Sequence, residues 1–179
     1  ALPLWYIRFK KNLIIKFFGL LLIISFIFFL VDYQYKNNFL YYKDGLYENI
    51  RIYDTTYKNR PTRLLIQDTS NSGAIHIDTK NPTDMAFEYT KYYSLYKLFD
   101  VKIKNALFLG GGSYTMPNAL ISEFPNANIE VVEIEPDLYE LSKKYFNTNE
   151  NIKNHIYDGR KFVKNSNTKY DFIFSDVYH

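Results

Sequence analysis

Glycines and acids recur in the second half of this 179-residue chain, each time directly after a short apolar run. Gly110, Gly111 and Gly112 follow Ala106-Leu-Phe-Leu109. Glu133 closes the β-branched run that begins at Ile129, with Glu135 two positions on. Asp158 and Gly159 follow His155-Ile-Tyr157, and Asp176 follows Phe172-Ile-Phe-Ser175. Glycine lets a backbone turn tightly and approach a ligand, because no Cβ intervenes. An acid about twenty residues past such a turn is where nucleotide-binding βαβ units hold ribose hydroxyls. A pyrophosphate wants backbone N–H groups and few negative charges nearby. Glu133, Asp158 and Asp176 would repel it. They would attract a cationic nucleoside such as S-adenosylmethionine, its decarboxylated form, or an amine.

These residues need a scaffold that brings successive strand ends to one edge. The pattern supplies one: strand 106–109, helix 115–123, strand 129–134, helix 137–146, a strand near 155–157, a helical turn 159–164 and a strand 170–175. That alternation predicts a parallel sheet with helices on both faces, and ligands bind at the carboxyl ends of such strands. Upstream, 82–99 reads as a helix with Thr83 or Asp84 as N-cap. Before it, 47–53, 62–67 and 74–77 read as strands of a small antiparallel sheet, separated by turn signals at 58–61 and 68–73.

The N-terminal part differs in kind. Residues 13–31 are apolar except for Lys16, Gly19 and Ser25, and no charge occurs over 17–31. About twenty helical residues cross a bilayer core, and no face of this segment is polar, so a transmembrane helix is expected. Phe28-Phe-Leu-Val31 has no small-x-small cleavage site, which argues against a signal peptide. Arg8, Lys10, Lys11 and Lys16 precede the helix and Asp32 follows it, so the positive-inside rule puts the later domain outside. The expected division is a basic segment 1–12, a transmembrane helix 13–31, a linker 32–43, a β-hairpin domain 44–80 and a nucleoside-binding domain 81–179. The chain begins with Ala and stops at His179 without a closing element, and reads as a fragment.

Composition bounds the chemistry. There is no cysteine, hence no disulfide and no thiolate metal site, and the net charge of +3 is too small to argue for nucleic acid. Three histidines are too scattered for a His-rich metal centre, and His76 and His155 read as structural. The 19 % aromatic content, mostly Tyr, reads as composition bias.

The motifs Leu107-Phe-Leu-Gly-Gly-Gly112, Val131-Val-Glu-Ile-Glu-Pro136, Tyr157-Asp-Gly159 and Tyr170-Asp-Phe-Ile-Phe-Ser-Asp176 resemble those of the spermidine synthase (polyamine aminopropyltransferase) family. Leu46-Tyr-Glu-Asn-Ile-Arg-Ile-Tyr-Asp54, Arg63-Leu-Leu-Ile-Gln-Asp68 and Phe87-Glu-Tyr-Thr-Lys-Tyr92 resemble its N-terminal β-domain and the helix that follows. The apolar helix resembles the membrane-anchored branch. The resemblance implies an α/β fold: a truncated, Rossmann-like sheet of the S-adenosylmethionine-dependent methyltransferase type behind the β-domain and a transmembrane helix. It implies aminopropyl transfer from decarboxylated S-adenosylmethionine to a polyamine such as putrescine, without a metal, and it leaves room for a homodimer. Gly110, Gly111 and Gly112 would line the nucleoside and its sulfonium arm. Ser113 would stand at the donor arm and Glu133 at the ribose. Asp158 and Gly159 would meet the adenine, and Asp176 would be the catalytic carboxylate beside the attacking amine, accepting its proton and holding the polyamine. An adenosyl co-substrate implies a cytoplasmic domain, against the charge bias.

Three positions depart from the family pattern. Ser113 stands where an Asp would meet the donor ammonium, His179 where a second acid would follow Asp176, and Asp68-Thr69 where an Asp-Gly turn is usual. A methyltransferase using ordinary S-adenosylmethionine, and a non-catalytic membrane protein retaining the fold, are therefore carried as alternatives. Glu135 is expected to be a solvated first-turn residue, Asp171 to face solvent at a strand start, and Asp158 to serve as helix N-cap, ligand contact or both.

Overall fold

The computed structural model describes residues 4–177, and the side chains of 13–177. The chain divides into two compact units, Ala1–Phe39 and Leu40–His179.

The first unit is one helix, α1 (Leu4–Asn37). Within it Leu13–Asn37 is long and apolar enough to cross a membrane, and none of that stretch is buried. At about 1.5 Å per residue it exceeds the roughly 30 Å of a bilayer core. The helix runs past the expected end at residue 31. Asp32 and Lys36 lie one turn apart and pair at 2.9 Å, with the acid toward the N-terminus as the helix dipole favours. The last turn tightens through Asn38 N–H to Tyr35 O and Phe39 N–H to Lys36 O.

The second unit opens with an antiparallel sheet in the order β1-β2-β3-β4: Tyr41–Asp44, Asn49–Tyr57, Arg60–Gln67 and Ser70–His76. Strand β1 lies where a linker was expected; its Tyr41 pairs with Ile52. Lys58 and Asn59 both have positive φ, which gives the β2–β3 hairpin its tight two-residue turn. The expected 68–73 loop shrinks to Asp68 and Thr69, because Gln67 pairs with Ser70 and Asn71 with Ile66. Alternation along β2 and β3 buries Ile50, Ile52 and Leu65 completely.

Residues 82–88 do not form the start of an α-helix. Asn81 Oδ1 accepts the Thr83 N–H at 3.1 Å and Asn81 O accepts the Asp84 N–H, so the segment starts as a turn, and Met85 then bridges to Ile75. The helix that follows, Tyr89–Leu98, is of the 3-10 type. Its buried residues are Thr90, Tyr93 and Tyr96, a spacing of three that matches three residues per turn. Leu95 and Leu98 are exposed. Tyr93 and Tyr96 both donate to the Glu123 carboxylate, tying this helix to the end of α2.

The second sheet is fully parallel: β5 (Asn105–Leu109), β6 (Asn128–Glu133), β7 (Lys153–Ile156) and β8 (Phe172–Ser175), in the order β7-β6-β5-β8. The connectors are α2 (Thr115–Glu123), α3 (Leu138–Phe146) and α4 (Gly159–Asn165). Direction of travel reverses at β5, and a crevice opens beyond the carboxyl end of the strand where this happens. Phe108, Ile129 and Val131 share one buried cluster with Ile50, Ile52 and Leu65, so both sheets pack on a common core.

Candidate active site

The glycine turn starts at the reversal point. Gly110 has φ +87, and a Cβ there would lie 2.6 Å from the Asp176 carbonyl oxygen, so only glycine fits. Asp176 is brought to it by pairing: its N–H donates to Leu109 O at 2.9 Å, one residue past the β5–β8 ladder. Two of the predicted site segments, from strands far apart in sequence, therefore touch through their backbones.

Glu133 is 6 % exposed and organises the turn. Its Oε2 accepts the N–H of Gly111 at 2.8 Å and that of Gly112 at 3.4 Å; its Oε1 accepts the Glu135 N–H at 2.9 Å. Those glycine N–H groups are what a phosphate would use. Here a buried carboxylate holds them. Beneath the turn Tyr114 is fully buried, and its hydroxyl donates to Asn154 Oδ1 at 2.7 Å. Burial, and after it the Glu133 charge, raises the Tyr114 phenol far above its ordinary value, so it stays neutral.

Glu135 corrects an expectation. It is 1 % exposed, not solvated. The turn between β1 and β2 packs over the strand end, and Glu135 Oε2 accepts the Tyr47 N–H at 2.9 Å. The acid in the first turn of α3 is Glu140, and Asp137, which precedes the helix, pairs with Lys43 at 2.5 Å. Glu135 Oε1 is buried without a hydrogen-bond partner.

The sequence reading assigned no role to Glu48. Its carboxylate accepts from Gln67. Burial pushes the carboxyl up, the Gln67 hydrogen bond opposes this, and the charges of Asp68, Glu133 and Glu135 add to the rise. Two acids from the antiparallel sheet and two from the parallel sheet thus share one region. An acid three residues past Gly45 was the available signal, but a turn acid is ordinarily solvated.

Ser113 is 2 % exposed and lies beneath β4: a Cβ on Gly73 would meet its Oγ at 2.0 Å. Its hydroxyl faces Thr115 Oγ1 at 3.4 Å. Asp158 is the N-cap of α4, with Oδ1 accepting the Lys161 N–H at 2.8 Å. Gly159 follows it, and both stand at the end of β7, beyond β6 from the glycine turn. Asp171 is exposed as expected, yet its Oδ2 accepts the N–H groups of Lys104 and Asn105, each at 2.9 Å. It therefore secures the start of β5. His76 meets Thr62 Oγ1 at 3.0 Å and His155 meets Glu130 Oε2 at 2.6 Å, both structural pairings. His179 lies outside the described residues. Among the described residues no three His, Asp or Glu side chains are arranged to hold a metal ion.

A cavity of about 240 Å³ lies elsewhere, between α2, the end of α3 and the segment after β4, lined by His76, Asn81, Asp84, Asn118 and Asn149 among others. It includes none of the strand-end residues. The convergence of buried acids and the glycine turn selects the strand ends instead.

The spermine/spermidine synthase domain matches residues 88–179. A polyamine aminopropyltransferase of Vibrio vulnificus is 30 % identical over 98 residues, which are 52 % of this chain and 33 % of that protein. A probable polyamine aminopropyl transferase of Bifidobacterium longum is 27 % identical over 144 residues, 80 % of this chain and 31 % of that protein. The chain thus spans about a third of the length of these relatives. Among solved structures, a probable spermidine synthase from Corynebacterium glutamicum superposes with a TM-score of 0.64 at 22 % identity, covering 77 % of this chain and 52 % of that one.

Proposed function

The chain belongs to the spermine/spermidine synthase domain family, and on that premise we propose that it is an aminopropyltransferase acting on an adenosyl sulfonium and a polyamine such as putrescine. One observation carries this reading: the Gly111 and Gly112 N–H groups are taken by the buried Glu133. A turn held in this way does not suit a phosphate. Glu133 Oε1, which accepts one N–H, keeps a lone pair for a ribose hydroxyl, and the carboxylate charge suits a positive sulfur.

In this reading Glu133 receives the ribose hydroxyls, and Gly110, Gly111 and Gly112 line the sulfonium arm. Asp158 keeps Oδ2 for the adenine side while Oδ1 caps α4. Decarboxylated S-adenosylmethionine supplies a carbon electrophile and a neutral thioether leaving group. The chain holds that carbon in line with an uncharged amine, and orientation is most of the catalysis. As the new N–C bond forms and the C–S bond breaks, the nitrogen becomes cationic. Asp176, held at the Gly110 turn, takes the proton it sheds.

Ser113 supports a second reading. It places no charge after the glycines, so a donor that keeps its carboxylate is not repelled there, and methyl transfer from ordinary S-adenosylmethionine competes. The apolar helix α1 would tether either activity to a bilayer, with the domain on the cytoplasmic side where adenosyl donors are made.

The test is product analysis with the full chain in detergent. Decarboxylated S-adenosylmethionine plus putrescine should yield spermidine and 5′-methylthioadenosine, and Asp176→Asn should lower kcat by about 10²-fold or more. Methylated amine from ordinary S-adenosylmethionine would favour the second reading. Neither product would leave a non-catalytic protein.

A further inference from the structure

We propose that Glu48 and Glu135 together form a subsite for a primary ammonium group at the edge of the nucleoside site. The inference rests on the nucleoside reading above and names which residues meet the positive end of the ligand.

The position directly after the glycines offers no charge to a ligand. Ser113 is there, neutral, 2 % exposed and covered by Gly73. The negative charge lies instead on the turn between β1 and β2 and on the strand end beneath it. Gly45 N–H donates to Glu48 O at 2.9 Å, closing that turn. The Tyr47 N–H then fastens it to Glu135 Oε2 at 2.9 Å. Glu48 is consequently held beside Glu135, and Glu135 beside Glu133 through its own N–H.

Two independent features suit a cationic ligand. Burial raises the Glu48 carboxyl most, the Gln67 hydrogen bond opposes this, and Asp68, Glu133 and Glu135 lie close enough for their charges to add to the rise. Separately, Glu135 Oε1 is buried with no donor. A buried carboxylate oxygen without a hydrogen bond is unfavourable and calls for a partner. Glu48 has one oxygen engaged by Gln67. Glu133 has both oxygens on backbone N–H groups. Lys43, at the end of β1, is drawn to Asp137 instead.

Among the described residues no three of these acids are set to ligate a metal ion. An ammonium fits this spacing: it is compact, carries three donors and can bridge two carboxylates. The ammonium could belong to the aminopropyl arm of the donor or to the polyamine acceptor.

Calorimetry on the full chain separates these cases. The probes are 5′-methylthioadenosine, which lacks the ammonium, decarboxylated S-adenosylmethionine, which carries it, and spermidine alone. If the subsite reads the donor arm, Glu48→Gln and Glu135→Gln each weaken decarboxylated S-adenosylmethionine by roughly tenfold or more. Binding of 5′-methylthioadenosine then stays within about twofold, which also shows that the variants are folded. If it reads the acceptor, spermidine carries the loss. Equal losses for all probes, or none, overturn the subsite and leave the nucleoside reading standing. Failure of the wild type to bind 5′-methylthioadenosine overturns that reading, and spermidine binding alone then decides the subsite.

Discussion

Glu133 Oε2 accepts the backbone N–H of Gly111 at 2.8 Å, so the acid that ends β6 is also the anchor of the turn that ends β5. Its other oxygen holds the Glu135 N–H. Ligand site and local fold are therefore one object here. Glu133→Gln puts an NH2 group against one of those backbone N–H donors. We expect a loss of about 1–3 kcal/mol in urea unfolding, together with weaker 5′-methylthioadenosine binding by calorimetry. Unchanged stability with lost binding would mean that the anchor is dispensable.

Gly73 of β4 packs directly against Ser113 after the glycine turn. A Cβ at Gly73 would lie 2.0 Å from Ser113 Oγ and 2.4 Å from Ser113 Cβ. Both atoms are buried in packed surroundings, so Gly73→Ala should cost about 1–3 kcal/mol by overpacking. Ser113→Gly removes both atoms, and the double variant should recover part of that loss. A double-mutant cycle from denaturation midpoints measures the coupling.

Asp171 gives a pH signature. The N–H groups of Asn105 and Lys104 hold its carboxyl below the ordinary value. A lowered folded value means the stabilisation is complete above the ordinary carboxylate range and is lost as pH falls through the folded value. Asp171→Asn should unfold at lower urea than the wild type at neutral pH. The gap should begin to close at about pH 4 and vanish in stronger acid. A gap that persists at low pH would assign the effect to packing.

The apolar helix predicts membrane partition. Every large apolar side chain from Leu13 to Val31 is exposed in the isolated chain. The full chain should float with neutral phosphatidylcholine vesicles in a density gradient. Replacing Leu22 and Phe28 by Lys should prevent this, since a Lys near a bilayer centre costs about 2.5–3.5 kcal/mol. Flotation of the double variant would point to attachment by another surface.

Local signals in the sequence were reliable where the physics is local. The run-turn-helix order around Gly110 predicted β5 and α2 to within a residue or two, because strand runs and breaker residues act over a few positions. The helix expected over 82–99 failed for a non-local reason: Met85 pairs with Ile75, and the inward face of 89–98 repeats every three residues. Strand β1 was read as linker because four residues carry little pattern, and its partner Ile52 decides its fate.

The same division runs through the site. Sequence alone determined that glycines and acids stand at successive strand ends, since strand periodicity and turn chemistry are written within each segment. Tertiary structure alone decided what each does. Glu133 anchors the turn, Glu135 is buried beneath Tyr47, and Ser113 is covered by Gly73. Glu48 enters from the other sheet. A side chain's exposure and partners depend on which distant segments pack over it, and no spacing within its own segment records that.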